Sequence, residues 1–278
     1  MRLARLEKDG RIFWALGSKD GQTVHEIKGK FHDWAPRLTK GEGIAALDIS
    51  DEVISVEEVK FLPPIEPVNR VVVAGANYSK HLEEFGVDPV TKPVAFLKAY
   101  GALIGANDDI RYPPLTEKLD HEVELVVVIG SDDVDVNNPY DCVLGYSAGN
   151  DVSARDLQRN GSPKIGMDLF AAKSQDRTTG LGPWIVTKDE FPAGSPALKL
   201  TLKVNGEIRQ DASSGDMTWP VGDLIKYVQN ISSFRAGDVL FTGSPPGVGD
   251  ATGNYINRGD LIEAEVENIG TLRNRIAD

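Results

Sequence analysis

The chain has 278 residues, 41% of them hydrophobic and 26% charged, a balance that gives a globular protein with one large core, or a core plus a small accessory domain. Its net charge of −12 excludes general binding to nucleic acid or to an anionic membrane, both of which need a basic surface, but leaves room for a small anionic substrate in a local cationic pocket. No window approaches the roughly 18 uninterrupted apolar residues of a membrane span, the opening MRLARLEKDGRIFWALG lacks the apolar stretch of a secretory signal, and Cys142, the single cysteine, leaves no intramolecular disulfide to form and fits a cytoplasmic location.

Residues 1–65 are expected to form a small β-rich N-terminal domain. RIFWALG and GQTVHEIKG are short alternating runs between Gly and Lys/Asp turns, and a helix is expected over residues 43–49. Pro63, Pro64 and Pro67 make the best linker, so that residues 66–278 form the larger, catalytic domain. There NRVVVAGANY is an apolar strand running into a loop, and SKHLEEFG a short helix with a Gly stop. KPVAFLKAYGALIG, HEVELVVVIG, DCVLGYSAGND, GPWIVT, ALKLTLKVNGEIRQ, GDVLFTG and DLIEAEVENIG all have strand character, and VGDLIKYVQNIS is a helix. Turns are dense, and strands do not alternate with long helices. The expected fold class is therefore a β-rich α+β fold rather than a doubly wound sheet.

In HEVELVVVIG, alternation puts Val123, Leu125, Val127 and Ile129 on one face and Glu122, Glu124, Val126 and Val128 on the other. Both faces are apolar in their second half, so two glutamates stand at the mouth of a core strand. Two carboxylates leaving water together repel each other, and a divalent cation turns that cost into a binding site. Asp151, at the end of the next strand, offers a third carboxylate. Three carboxylates with no nearby Cys suit a hard ion such as Mg²⁺, Mn²⁺ or Ca²⁺. The plain alternative is an ordinary polar strand face. His121 is left unassigned, because the residue next to Glu122 points the other way.

Gly145-Tyr146-Ser147-Ala148-Gly149 matches the GxSxG nucleophile elbow, but that fold needs a His after the Ser. All four histidines, His25, His32, His81 and His121, precede Ser147, so small residues packed against a neighbouring strand are the better reading. His81 and Glu84 share a helix face at a spacing of three and can act as a base with its orienting carboxylate, or sit on a solvated surface helix. Lys173 can stabilise a substrate carboxylate or an enolate, or be a plain loop lysine. TGSPPGVGD, residues 242–250, can cradle an anion with free backbone N–H groups, or be a plain turn. Cys142 reads as a packed residue.

In this order, GANYSKHLEEFG, PVAFLKAYGALIG, DHEVELVVVIG, GYSAGNDVSARDLQ, AAKSQDRTTGLGPWIVT, LKVNGEIRQ, VGDLIKYVQNIS, GDVLFTGSPPGVG and GDLIEAEVENIGTLRN resemble the fumarylacetoacetate hydrolase family over most of residues 68–278. The resemblance implies a mixed β-sheet roll, a small N-terminal domain and a homodimer. It also implies Mg²⁺ or Mn²⁺ on Glu122, Glu124 and Asp151, a lid dyad of His81 and Glu84, and Lys173 as a catalytic lysine. Substrate contacts are implied at Gln158, Gly243 and Ser244. Ser244 stands where Thr is usual and Ala99 where Pro is usual, and Gln175 and Arg177 alter the pocket wall. The implied chemistry is hydrolysis of a C–C bond in a small anionic diketo acid of the acylpyruvate type. Decarboxylation of oxaloacetate or of a 2-hydroxydienoate and keto–enol isomerisation are the alternatives within the family. A non-catalytic metal- or ligand-binding β domain is the alternative outside it, and a base on a lid argues against that.

Overall fold

The structure is a computed structural model and describes residues 1–162, 164 and 166–277. The chain opens with β1 (Arg2–Lys8), β2 (Arg11–Gly17) and β3 (Thr23–Lys28). Asp9 and Gly10, both at positive φ, close the β1–β2 hairpin with Lys8 opposite Arg11, which is what an Asp-Gly pair favours in a two-residue turn. Helix α1 (Phe31–Thr39) then buries Phe31, Trp34, Ala35 and Leu38 on one side. Trp14 of β2 packs on this face, its ring centroid 5.0 Å from Phe31 and 5.6 Å from Trp34.

The helix expected over 43–49 is not there. Gly43–Ala46 form a single 3-10 turn, and Asp48–Ile49 form β4, paired with β3. Gly43 sits at φ +60, off the right-handed helix, and the backbone that follows finds its hydrogen bonds in the sheet. The helical signal lay earlier in the chain, in the i, i+3, i+4, i+7 spacing of Phe31, Trp34, Ala35 and Leu38.

Next come β5 (Ile54–Ser55), β6 (Lys60–Leu62), β7 (Val71–Gly75), α2 (Ser79–Glu83), β8 (Val94–Lys98), β9 (Leu103–Ile104) and β10 (Leu119–Asp120). Then follow β11 (Val123–Ile129), β12 (Val143–Asn150), β13 (Ser153–Ala154), α3 (Arg155–Arg159), α4 (Leu169–Lys173) and β14 (Thr179–Thr187). The last third holds β15 (Lys199–Val204), β16 (Glu207–Ser213), α5 (Val221–Gln229), β17 (Val239–Phe241), α6 (Gly249–Thr252), β18 (Leu261–Val266) and β19 (Gly270–Arg275).

A 13-stranded sheet has the main order β4-β3-β2-β1-β14-β12-β11-β17-β7-β8, and a four-stranded sheet has the order β16-β15-β18-β19. β17 runs parallel to β7 and β14 parallel to β9, while the other pairs named here are antiparallel, so the fold is a mixed, β-rich α+β architecture. The large sheet continues across residue 65: Arg2 and Leu3 of β1 pair with Val186 and Ile185 of β14. No helix among the described residues is long and apolar enough to cross a membrane.

β11 lies centrally, and all seven of its residues are buried. Val123, Leu125, Val127 and Ile129 join one core, shared with Leu200, Leu202 and Ile262 of the smaller sheet. Val126 and Val128 join the other, with Trp14, Phe31 and Trp34. Each such side chain contributes about 1.5–3 kcal/mol relative to an exposed one, which fixes the register and therefore the place where the carboxylates emerge.

Candidate metal centre and active site

β11 and β12 are antiparallel with Val123 opposite Asn150, so Glu122 and Asp151 leave the sheet at the same end. Asp151 donates its N–H to the Glu122 carbonyl at 2.8 Å, and Glu122 donates its own to Asn150 Oδ1 at 2.9 Å. Glu124 lies opposite Gly149, where a Cβ would come within 2.5 Å of the Phe241 ring and 2.6 Å of Val126. Glu122, Glu124 and Asp151 are all buried, and one oxygen from each lies within 4.8 Å of the others. The carboxylate trio read from the sequence is thus assembled in space.

Three buried cations surround it. Arg155, at the start of α3, donates from Nη2 to Glu122 Oε1 at 2.5 Å and from Nε to Asp120 Oδ2 at 2.8 Å. Lys173, at the end of α4, donates to Glu122 Oε2 and, at 2.8 Å, to Asp151 Oδ2. Lys98, at the end of β8, pairs with Asp151 Oδ1 and donates to Thr179 Oγ1 at 2.5 Å. Burial pushes the Glu122 carboxyl up, but Arg155 and Lys173 outweigh it and hold the group well below the usual carboxylate range. Burial, then the charges of Asp151 and Glu122, push Glu124 well above that range. Burial lowers the Lys98 ammonium, and Asp151 offsets only part of this. For Lys173, Asp151 and Glu122 outweigh burial and raise it.

Asp120, Glu122, Glu124 and Asp151 against Lys98, Arg155 and Lys173 leave one negative charge in excess among these buried groups. A proton on Glu124 balances the metal-free cluster, whereas a divalent ion replacing that proton leaves one positive charge, which attracts an anion. The residues fit such an ion. The donors are all carboxylate oxygens, and Asp151 Oδ1 is buried with no donor besides the Lys98 ammonium among the described residues.

The dyad borders this cluster. His81 Nδ1 lies 3.3 Å from Glu84 Oε2. Residues 242–250 do present N–H groups to anions, but the anions belong to the protein. Gly243 donates to Glu124 Oε2 at 2.7 Å, Gly247 to Glu84 Oε1 at 2.9 Å, Gly249 to Asp120 Oδ1 at 2.6 Å and Asp250 to Asp120 Oδ2 at 3.0 Å. Gly247 needs its absent side chain, since at φ +99 a Cβ would meet the Arg209 carbonyl oxygen at 2.2 Å.

Ser244 Oγ is buried and accepts from Gln210 Nε2 at 2.9 Å. Gln158 accepts from Arg155 Nη1 at 3.1 Å. Gln175 folds back on α4, donating to the Ala171 carbonyl at 2.6 Å, while Arg177 is exposed at φ +58. His121 faces away from the carboxylates, 3.3 Å from Gln210 Oε1. Ser147 is fully buried inside β12 with no hydrogen bond to its hydroxyl among the described residues, so there is no nucleophile elbow. A Cβ on Gly145 would meet the Val186 carbonyl oxygen at 2.2 Å, the close strand approach expected there. Cys142 is buried before β12, its thiol pushed up to about 11 by burial.

Asp120, Lys98 and Arg155 are the site residues that the sequence reading missed. Alternation along VAFLK, which ends an apolar strand on a lysine, is the signal for Lys98.

Residues 70–277 match the sequence profile of the family described as Fumarylacetoacetate (FAA) hydrolase C-terminal. The mitochondrial oxaloacetate tautomerase FAHD2A of Homo sapiens is 33% identical over 246 residues, which is 84% of this chain and 77% of that protein. The crystal structure of 5-carboxymethyl-2-hydroxymuconate delta-isomerase from Mycobacterium smegmatis superposes with a TM-score of 0.82 at 32% identity, covering 100% of this chain and 99% of that one. Fumarylpyruvate hydrolase from Pseudomonas aeruginosa, solved with Mn²⁺ and pyruvate, gives 0.68 at 29% identity over 78% of this chain and 91% of that one. With the mixed sheet and the buried carboxylate trio, the profile match over residues 70–277 shows that the chain belongs to the fumarylacetoacetate hydrolase family, whose members are enzymes.

Proposed function

We propose that the chain hydrolyses a C–C bond in a small diketo acid of the acylpyruvate or fumarylpyruvate type, with Mg²⁺ or Mn²⁺ on Glu122, Glu124 and Asp151. One observation carries this reading: a single loop ties the base to the carboxylates. Gly247 holds Glu84, the partner of His81, and Gly243 four residues away holds Glu124. The bound ion would supply Lewis acidity at the keto-acid end of the substrate. With Nδ1 turned to Glu84, His81 Nε2 takes a proton from water as the water oxygen bonds to the distal carbonyl carbon. The C–C bond then breaks, its electron pair leaves on the keto-acid fragment as an enolate, and His81 returns the proton to that carbon. Lys173, already among the carboxylates, stabilises the negative charge as it develops.

In this reading residues 66–278 carry the reaction, residues 1–65 are an accessory domain, and the enzyme works as a cytoplasmic homodimer. Acylpyruvates incubated with the protein and Mg²⁺ or Mn²⁺ should release pyruvate. Absence of turnover across such a panel, with the metal shown to be bound, would remove the reading. Keto–enol tautomerisation of oxaloacetate is the second reading, favoured by the 33% identity to a human oxaloacetate tautomerase. It predicts loss of enol absorbance without release of acid or CO₂.

A further inference from the structure

Lys98 and Arg155 are the buried cations of the cluster without a role in the proposed reaction, and of these two Lys98 is the one that faces Asp151. Its side chain is fully buried at the end of β8, so its charge cannot reach water. It has two partners of different kinds, the anionic Asp151 and the neutral hydroxyl of Thr179, at 2.5 Å. Lys173 differs: it bridges two carboxylates, Glu122 and Asp151, with no neutral acceptor of its own among the described residues. The oxygen that Lys98 faces, Asp151 Oδ1, is buried and has no other donor among the described residues.

These facts set up a competition. A metal-free trio of carboxylates would repel itself apart, and an ammonium at Asp151 prevents this. A divalent ion approaching the same carboxylate is repelled by that ammonium over a few ångströms in a dry site, where such repulsion is strong. A four-carbon stem lets the charge swing without moving the backbone, and Thr179 Oγ1 is within reach to keep one hydrogen bond when the carboxylate is given up.

We propose that Lys98 is a positioning residue that acts as a resident stand-in for the metal: its ammonium holds Asp151 in the metal-free protein and yields that carboxylate to the ion, falling back on Thr179. This rests on the carboxylate trio being a metal site.

The test uses the full chain stripped of metal by a chelator, Mn²⁺ as titrant, calorimetry for affinity and thermal melting with and without saturating Mn²⁺. Lys98→Met, which keeps the length and removes the charge, is expected to bind Mn²⁺ roughly tenfold more tightly than the wild type. Its metal-free form should melt several degrees lower, on the order of 3–8 °C, while its Mn²⁺-saturated form melts within about 2 °C of the saturated wild type. Thr179→Val, which takes away the fallback acceptor, is expected to weaken Mn²⁺ binding about fivefold. Unchanged or weaker Mn²⁺ binding by Lys98→Met, or an equal loss of melting temperature with and without Mn²⁺, overturns the proposal and leaves Lys98 a purely structural ion pair. If Lys98→Met does not fold, Thr179→Val decides, and unchanged affinity there overturns it. A wild type that binds no Mn²⁺ removes the metal-site reading, and this proposal with it. Wild-type binding without the predicted shifts removes only the role of Lys98.

Discussion

The two halves of the site are built on different supports. The carboxylates stand at the ends of β11 and β12, two long strands buried at every residue, where backbone pairing, two cores and three cations fix them. His81 stands on α2, a five-residue helix in which only Leu82 is buried, and Glu84, just past its end, is tied to the rest of the site through Gly247. A short helix has little cooperativity of its own. In the proposed reaction this difference becomes a division of labour: the half that would anchor charge is over-determined, and the half that would move protons is held lightly enough to adjust to a substrate.

The sharpest way to break that comparison is to strip a carboxylate from the rigid half. Asp151→Asn leaves Lys98 and Lys173 without their shared anion and should cost the metal-free protein about 3–5 kcal/mol in denaturant melts, with Mn²⁺ binding lost in calorimetry. Glu124→Gln should lose Mn²⁺ binding as well. Its metal-free stability should stay within about 1 kcal/mol of the wild type, because the glutamate already favours its proton there and an amide oxygen can still accept from Gly243. Equal destabilisation by the two changes would contradict the charge balance described above.

In the lighter half, His81→Ala should lower kcat by about 10²–10⁴, while calorimetry finds Mn²⁺ affinity within about twofold of the wild type. A parallel loss of both would place His81 in the metal's own shell instead.

A pH series tests the proton on Glu124. Below the ordinary value of 4.5 the group is protonated in both the folded and unfolded states. Above it the unfolded chain releases the proton and the folded one keeps it, so the unfolded state binds fewer protons and metal-free stability declines as pH rises, until the raised folded value is passed. Saturating Mn²⁺, or Glu124→Gln, should flatten that decline in melting curves. A metal-free protein that gains stability over the same window through this group would show the shift to be in the wrong direction. The smallest effect belongs to Ser147→Ala, expected to leave kcat unchanged and stability within about 0.5 kcal/mol, since it removes a buried hydroxyl with no hydrogen bond among the described residues.

Much of this was legible because it is local. Alternation along β11 places Glu122 and Glu124 on one side and His121 on the other, and the three-residue step from His81 to Glu84 is a property of one helical turn. The motif order carried the family. What was not legible is long-range or depends on competition. Lys98 reaches Asp151 only because the sheet path carries β8 round to that end, and Asp120 meets residues 249–250 across about half the chain. The exclusion of Ser147 needed only the chain order of the histidines. By contrast, Pro36 sits within α1 and masks the spacing of Phe31, Trp34, Ala35 and Leu38, so tertiary packing against Trp14 decides that helix. The loop at 242–250 was read as an anion cradle or a plain turn, and it does present its N–H groups to anions. No sequence pattern shows that the anions it meets are side chains from residues 84, 120 and 124.

That loop has a practical consequence. Four amide protons, on Gly243, Gly247, Gly249 and Asp250, each rest on a carboxylate from a different part of the site or on a different oxygen of the same one. Three of them are glycines, whose nitrogens resonate apart from the crowded region of an amide spectrum. The loop is thus a built-in four-channel recorder: a titration with metal, proton or substrate writes its effect on Glu124, Glu84 and Asp120 into separate signals, without a label being placed in the site.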